Sequence, residues 1–161
     1  MNDLFEVVIT AIVQKDGKFL ILQRSASKKR FPNRWTVPGG HLETADFINE
    51  PKDTAEYWYN VLEKALAREV KEEAGFKIKN VRYVTSLATV HKDGAPSFVI
   101  SCLADYDGGK VKLQSEECQD HAWVNLEEAK GYDLIDGIYD ELAMAADVAA
   151  GRTINWQRSS N

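Results

Sequence analysis

Residues 68–75, REVKEEAG, place Glu69, Glu72 and Glu73 in a segment that the sequence predicts to be helical from about residue 54 to residue 74. Gly75 is the expected stop, because a helix end favours a left-handed residue and glycine adopts that conformation without strain. Asp53 or Thr54 is the expected cap, with Glu56 near the capping-box position; Pro51 blocks a longer helix. At about 100° per residue, Trp58, Leu62, Ala65 and Leu66 form one arc. Glu69 and Glu73 continue that arc and Glu72 lies at its edge, whereas Glu63, Lys64, Ala67 and Lys71 fall on other sides. If the apolar stripe packs on a sheet, the acids face the body of the protein or a cleft.

Such a cluster has an electrostatic cost. Carboxylates about 5 Å apart repel by roughly 3 kcal/mol per pair at an effective dielectric near 20. Arg68 can flank Glu72 at i+4, but it cannot neutralise three acids. A hard divalent cation, Mg²⁺ or Mn²⁺, can, because it takes carboxylate oxygens. The alternative is an ordinary solvated helix face, which an E-x-x-E-E run also fits.

The rest of the chain supplies strands. FEVVITAIVQ (5–14) and KFLILQR (18–24) are rich in β-branched and apolar residues, and Asp16-Gly17 between them is a hairpin signal. SASKKRFPNRW (25–35) reads as a basic loop, and TVPGGHLE (36–43) as a short strand broken by Pro38-Gly39-Gly40. Further strands are expected at 81–91 and 97–106, and in the GGKVKL stretch (108–113) before QSEECQDHAWVNLEEA. A last helix is expected at 138–150, closed by Gly151, followed by the polar tail RTINWQRSSN. Strands, helix, strands, helix is the order of a mixed sheet with packed helices, not of a regular βαβ repeat. At 161 residues the chain is expected to be a single domain.

Charge and composition bound the partners. The net charge of −5 argues against a nucleic-acid polymer, which needs a basic face, but leaves room for a small phosphorylated ligand carried by a metal. No apolar run approaches the roughly 20 residues of a membrane span. MNDLFEVVIT lacks the basic start of a signal peptide, and two cysteines, Cys102 and Cys118, make no disulfide framework. A cytoplasmic setting is therefore expected.

PGGHLE followed by REVKEEAGF resembles the Nudix hydrolase family of MutT-like pyrophosphohydrolases, whose box reads G-x5-E-x7-R-E-U-x-E-E-x-G-U with U apolar. Gly40 matches the first glycine; Arg68, Glu69, Val70, Glu72, Glu73, Gly75 and Phe76 match the second half. Counted from Gly40 the first-half acid falls at Asp46, and counted back from Arg68 it falls at Asn60. The reading preferred is Asp46, with an insertion at about 47–60 inside the box. NRWTVPGG and EECQDHAWVNLEEA are also similar to family segments. The resemblance implies an α/β fold, an α/β/α sandwich with a loop–helix–loop motif. It implies metal-dependent cleavage of a nucleoside diphosphate linked to another moiety. By matching position it makes Glu69 and Glu73 the principal Mg²⁺ ligands, with Glu72 and a carbonyl of Gly39 or Gly40, and Arg68 their orienting residue. The general base is Glu69, Glu117 or Asp120, in that order.

Other residues carry weaker signals. Lys28, Lys29, Arg30 and Arg34 surround Phe31 and form either a phosphate-attracting lip or a solvated loop. Arg24 is the better phosphate candidate, followed by Arg34; His41 sits beside the glycine turn. Trp35 and Trp123 are core residues or base platforms. Tyr57, Trp58 and Tyr59 cover a ligand or pin the inserted segment, which could also serve a homodimer. The histidines 41, 91 and 121 show no metal spacing. Two rival readings keep the fold: a ligand-sensing Nudix module without catalysis, and an isopentenyl-diphosphate isomerase-like enzyme. The second wants a cysteine and an acid together, and no cysteine lies near the box in sequence.

Overall fold

A computed structural model describes residues 4–152 and residue 156. Most of the tail thus lies outside the described residues, as do residues 1–3 of the segment expected to lack a signal peptide. The strands are β1 (Glu6–Lys15), β2 (Lys18–Arg24), β3 (Trp35–Thr36), β4 (Gly39–His41), β5 (Ile78–Val90), β6 (Pro96–Tyr106) and β7 (Cys118–Val124). The helices are α1 (Val61–Ala74), the short α2 (Leu126–Ala129) and α3 (Ile138–Ala149), with a 3₁₀ turn at Thr44–Asp46.

All seven strands join one mixed sheet, ordered β3-β2-β1-β6-β5, with β4 pairing β1 and β7 pairing β2. β1 runs parallel to β6 and antiparallel to β2. The hairpin between β1 and β2 turns on Asp16 (φ 50°) and Gly17 (φ 74°), the left-handed pair that matches strand twist. β1 and β2 pair only beside that turn, at Gln14↔Phe19 and Lys15↔Lys18. Further on β1 pairs with Gly39–His41 and β2 with Trp35–Thr36, so the sheet splits there.

Period-two alternation gives the sheet two apolar faces. Ile9, Ala11, Val13, Leu20 and Leu22 pack under Ala65, Leu66, Val70 and Ala74 of α1. Ile12, Phe19, Ile21 and Leu103 pack under Ile138, Leu142 and Ala145 of α3. The architecture is an α/β/α sandwich.

Two expectations need correction. Helix α1 begins at Val61, not near residue 54, behind a left-handed Asn60 (φ 55°). The expected caps act inside the preceding loop: Thr54 Oγ1 accepts from the Tyr57 amide (3.0 Å) and Asp53 Oδ2 from the Tyr59 amide (2.8 Å). Trp58 packs on Phe47 with ring centroids 5.3 Å apart, and its Nε1 donates to the Glu50 carbonyl. The loop is thereby folded on itself. Second, 108–113 forms no strand, because its extension uses its amides on a helix end. The Lys112 amide donates to the Ala74 carbonyl (2.8 Å) and the Gln114 amide to the Glu73 carbonyl (3.1 Å).

Gly75 closes α1 at φ 82°, and a Cβ there would press on the backbone of Lys112. Gly75→Ala is expected to cost about 2 kcal/mol from left-handed strain plus this contact. Urea unfolding measures it; an unchanged midpoint would show the turn to be permissive.

Candidate active site

The split in the sheet, the C-terminal half of α1 and the 25–34 loop enclose a cleft of about 480 Å³. Arg68 organises its acidic side. Its Nε and Nη2 donate to the two carboxylate oxygens of Asp46 (2.5 and 3.2 Å), a bidentate fork on a side chain only 3% exposed. The same guanidinium reaches Glu69 (2.9 Å), Glu72 (3.0 Å) and the carbonyl of His41 (3.4 Å). Arg68 holds the Asp46 carboxyl below the usual carboxylate range, and Asp46 in turn raises the guanidinium. The acid before the 47–60 segment and the arginine after it therefore meet.

Glu73 has no such partner. Its Oε2 accepts one long hydrogen bond from the Gly39 amide (3.4 Å). Part of the residue's surface faces the cleft, yet atoms crowd its carboxyl on the other sides. Burial, then repulsion from Glu69, pushes that carboxyl up to about 8 from an ordinary 4.5. Burial also raises Glu69, partly opposed by Arg68. The glycine turn permits this closeness: a Cβ on Gly40 would overlap the Glu69 carboxylate, and one on Gly39 the carbonyl of Ile9. Glu72, half-exposed, stands at the rim.

The opposite wall is basic but largely neutralised. Lys28 pairs with Glu117 (2.5 Å). Arg30 bridges Glu6 (2.9 Å) and Asp93 (2.8 Å). Arg24 lines the cleft, donates from Nε to the Arg30 carbonyl, and has no carboxylate within salt-bridge distance among the described residues. Phe31, at φ 52°, is 44% exposed there.

Sequence reasoning missed a cluster around Glu6. The pairings Val8↔His41 and Glu6↔Ser97 bring together residues far apart in the chain. Ser97 Oγ donates to Glu6 Oε2 (2.8 Å) and lies 2.8 Å from His91 Nε2, and His41 Nε2 stands 3.6 Å from the same carboxylate. Arg30, then Ser97, holds the Glu6 carboxyl down at about 2. No spacing signal marks such a cluster, because strand register assembles it.

Glu69, Glu72, Glu73, Gly39, Gly40, Glu117, Arg24 and His41 all line the cleft. Asp120, Arg34 and Trp35 do not. Asp120 lies on β7 past a register shift, exposed, with Oδ1 accepting from the His121 amide. Arg34 is tied to Asp133 (3.0 Å) and to the Leu134 carbonyl. Trp35 packs edge-on against Tyr132 (4.8 Å) in the core under α3. Tyr57 and Tyr59 are exposed away from the cleft. Cys118, far from the box in sequence, is brought by the fold to the cleft wall beside Arg24. Burial, then the charge of Glu73, pushes its thiol up to about 12, so it is a protonated wall residue and no nucleophile.

These donors fit a divalent cation of the Mg²⁺ type. Among the described residues no group of three or more acid, histidine or cysteine side chains is arranged to hold a metal ion by itself. Arg68 engages Glu69 and Glu72 at salt-bridge distance, which keeps the set open. Mg²⁺ asks for no closed shell: it keeps waters and takes one or two carboxylates together with phosphate oxygens. Glu73, crowded by like charge and lacking a cationic partner, is the donor such an ion would relieve.

The NUDIX domain family profile matches residues 4–142. Nucleoside triphosphatase NudI of Klebsiella pneumoniae is 27% identical over 137 residues, 79% of this chain and 86% of that protein. The NAD-capped RNA hydrolase NudC of Erwinia tasmaniensis is 40% identical over 115 residues, 71% of this chain. The match covers 36% of NudC, so the chain spans little more than a third of that relative. The crystal structure of a MutT NUDIX hydrolase from Burkholderia pseudomallei shares the fold, with a TM-score of 0.70 at 19% identity over 88% of this chain and 98% of that one. Among the described residues no helix is long and apolar enough to cross a membrane. Likeness in sequence over most of the chain agrees with the box that runs from Gly40 to Phe76: this chain belongs to the NUDIX domain family and is an enzyme of the nucleotide pyrophosphohydrolase class.

Proposed function

We propose that the protein hydrolyses the phosphoanhydride bond of a nucleoside diphosphate linked to a second moiety, with Mg²⁺ or Mn²⁺ as cofactor. The observation that carries this reading is the charge of the cleft. Glu43, Glu69, Glu72, Glu73 and Glu117 line it against Arg24, Lys28 and Arg30. A bare diphosphate is repelled by such a wall, whereas a diphosphate carried by divalent cations is attracted.

Glu73 and Glu69 would hold the ion, with Glu72 and a carbonyl of Gly39 or Gly40 as further donors. When bound, the ion would neutralise phosphate oxygens and acidify a nucleophilic water. Arg68 fixes the rotamers of Glu69 and Glu72 through the hydrogen bonds described above, and Asp46 fixes Arg68. Glu69, raised by burial, is the first candidate to take the proton of the attacking water; Glu117 is the second. Arg24 would meet the phosphate opposite the acids, and His41 the substrate beyond the glycine turn. We read the chain as one domain with residues 47–60 inserted in the box, a reading supported by the Asp46–Arg68 pair that closes across them. Two free, buried thiols support a reducing cytoplasm as its setting.

The experiment is nucleoside monophosphate release over a panel, with Mg²⁺, Mn²⁺ or chelator. The panel holds nucleoside triphosphates, ADP-ribose, NADH, dinucleoside polyphosphates, nucleotide sugars and a NAD-capped oligonucleotide. Metal-dependent release from at least one compound is expected. Release that persists in chelator, or none from any compound, rejects the reading.

A further inference from the structure

Resting on the hydrolase reading above, we infer that Phe31 is the platform on which the nucleobase of the substrate stacks, which puts the nucleoside end of the substrate against the 25–34 loop. The first observation is the backbone that holds the ring out. Phe31 sits in the left-handed region at φ 52°, a conformation that a bulky side chain adopts only at a cost. The loop pins it there. Arg24 Nε donates to the Arg30 carbonyl (2.9 Å), and the Arg34 amide donates to the Phe31 carbonyl (3.4 Å). The Arg30 guanidinium is tied to Glu6 and Asp93. Strain of this kind persists only where the surroundings over-determine it, and it gathers at ligand sites.

The second observation is that the fold holds this ring without burying it. Phe31 is 44% exposed and belongs to neither apolar cluster of the core. Among the described residues it packs on no other aromatic ring. The third is its place. Phe31 lines the cleft, and no other phenylalanine, tyrosine or tryptophan among the described residues does; Trp35, Trp123, Tyr57 and Tyr59 all stand elsewhere. A benzene face stacks on any base, because every base has a π-face. The hydrogen bond from Arg24 to the Arg30 carbonyl sets the ring beside the one cleft cation without a carboxylate partner. Base contact and phosphate contact are then neighbours on one wall, across from the acids of α1.

The test removes the ring but keeps the backbone. Phe31→Asn does so, because asparagine takes the left-handed conformation more readily than phenylalanine. Phe31→Trp keeps a stacking face. Calorimetry in Mg²⁺ compares AMP, GMP, CMP and UMP with ribose 5-phosphate, which has the phosphate and sugar but no base. The wild type is expected to bind its best monophosphate at least about tenfold more tightly than ribose 5-phosphate. Phe31→Asn is expected to reduce that ratio by about tenfold, the scale of one base–aromatic stack, and Phe31→Trp to restore it. In turnover, Phe31→Asn is expected to raise KM about tenfold and to change kcat far less, the pattern of a contact made equally before and during the reaction. A wild type indifferent to the base overturns the assignment. So does an unchanged ratio in Phe31→Asn, including one accompanied by a lower melting temperature, which marks a packing residue. Failure of the hydrolase reading looks different: no compound is cleaved, while the ratio still falls in Phe31→Asn and returns in Phe31→Trp.

Discussion

Glu73→Gln is expected to lower kcat by at least about a hundredfold, the scale on which metal-site substitutions act, while the protein stays folded. The same variant tests the charge of the site directly. Crowding holds the Glu73 carboxyl at about 8 in the folded protein against 4.5 when exposed. Between those values the folded state keeps a proton that the unfolded chain has released, so metal-free stability falls as pH rises through that window. It is intact below the lower value and lost above the upper one. Glutamine carries no such proton. At pH 8.5 in chelator the variant is expected to exceed the wild type by on the order of 2 kcal/mol, discounted for solvent in the cleft. At pH 4 the advantage disappears. Thermal melts at the two pH values give the answer; parallel slopes, or wild-type kcat, would remove Glu73 from the centre of the site.

Arg68→Ala is expected to cost about 3 kcal/mol, the scale for removing one partner of a buried ion pair. It strips Asp46, 3% exposed, of its bidentate partner and leaves Glu69 and Glu72 unscreened. Arg68→Lys is expected to recover little, because an ammonium cannot fork onto both oxygens of Asp46. The pH dependence has the opposite sign to that of Glu73. Arg68 depresses the Asp46 carboxyl, so the pair stabilises the fold above the ordinary 3.8 and loses that contribution as pH falls through the depressed value. The gap between wild type and Arg68→Ala therefore closes in acid. Urea titrations at pH 7 and pH 3 measure it, and a gap that widens in acid contradicts the assignment.

What could be read in the sequence was what local chemistry dictates. Asp16-Gly17 can hardly be anything but a tight hairpin, and Gly75 ends a helix because few other residues fit there. The inward placement of Glu69 and Glu73 followed from helical period alone. The start of α1 did not, because Asp53 and Thr54 satisfy a loop closed by Trp58 on Phe47, a contact between side chains 11 positions apart. The cluster around Glu6 was invisible for a stronger reason: parallel pairing of β1 with β6 is settled by the whole sheet. Asp120 and Arg34 were misplaced by proximity in sequence. A register shift near Gln23 takes the first out of the cleft, and a pairing with Asp133 takes the second.

The irregular stretch after β6 has a mechanical consequence. Its amides at Lys112 and Gln114 terminate the last turn of α1, the turn that carries Glu73, and Glu117 follows three residues later. Detachment of that stretch would fray the helix end and carry off a cleft acid in the same motion. Local melting at this helix end and displacement of the cleft acids are therefore expected to go together.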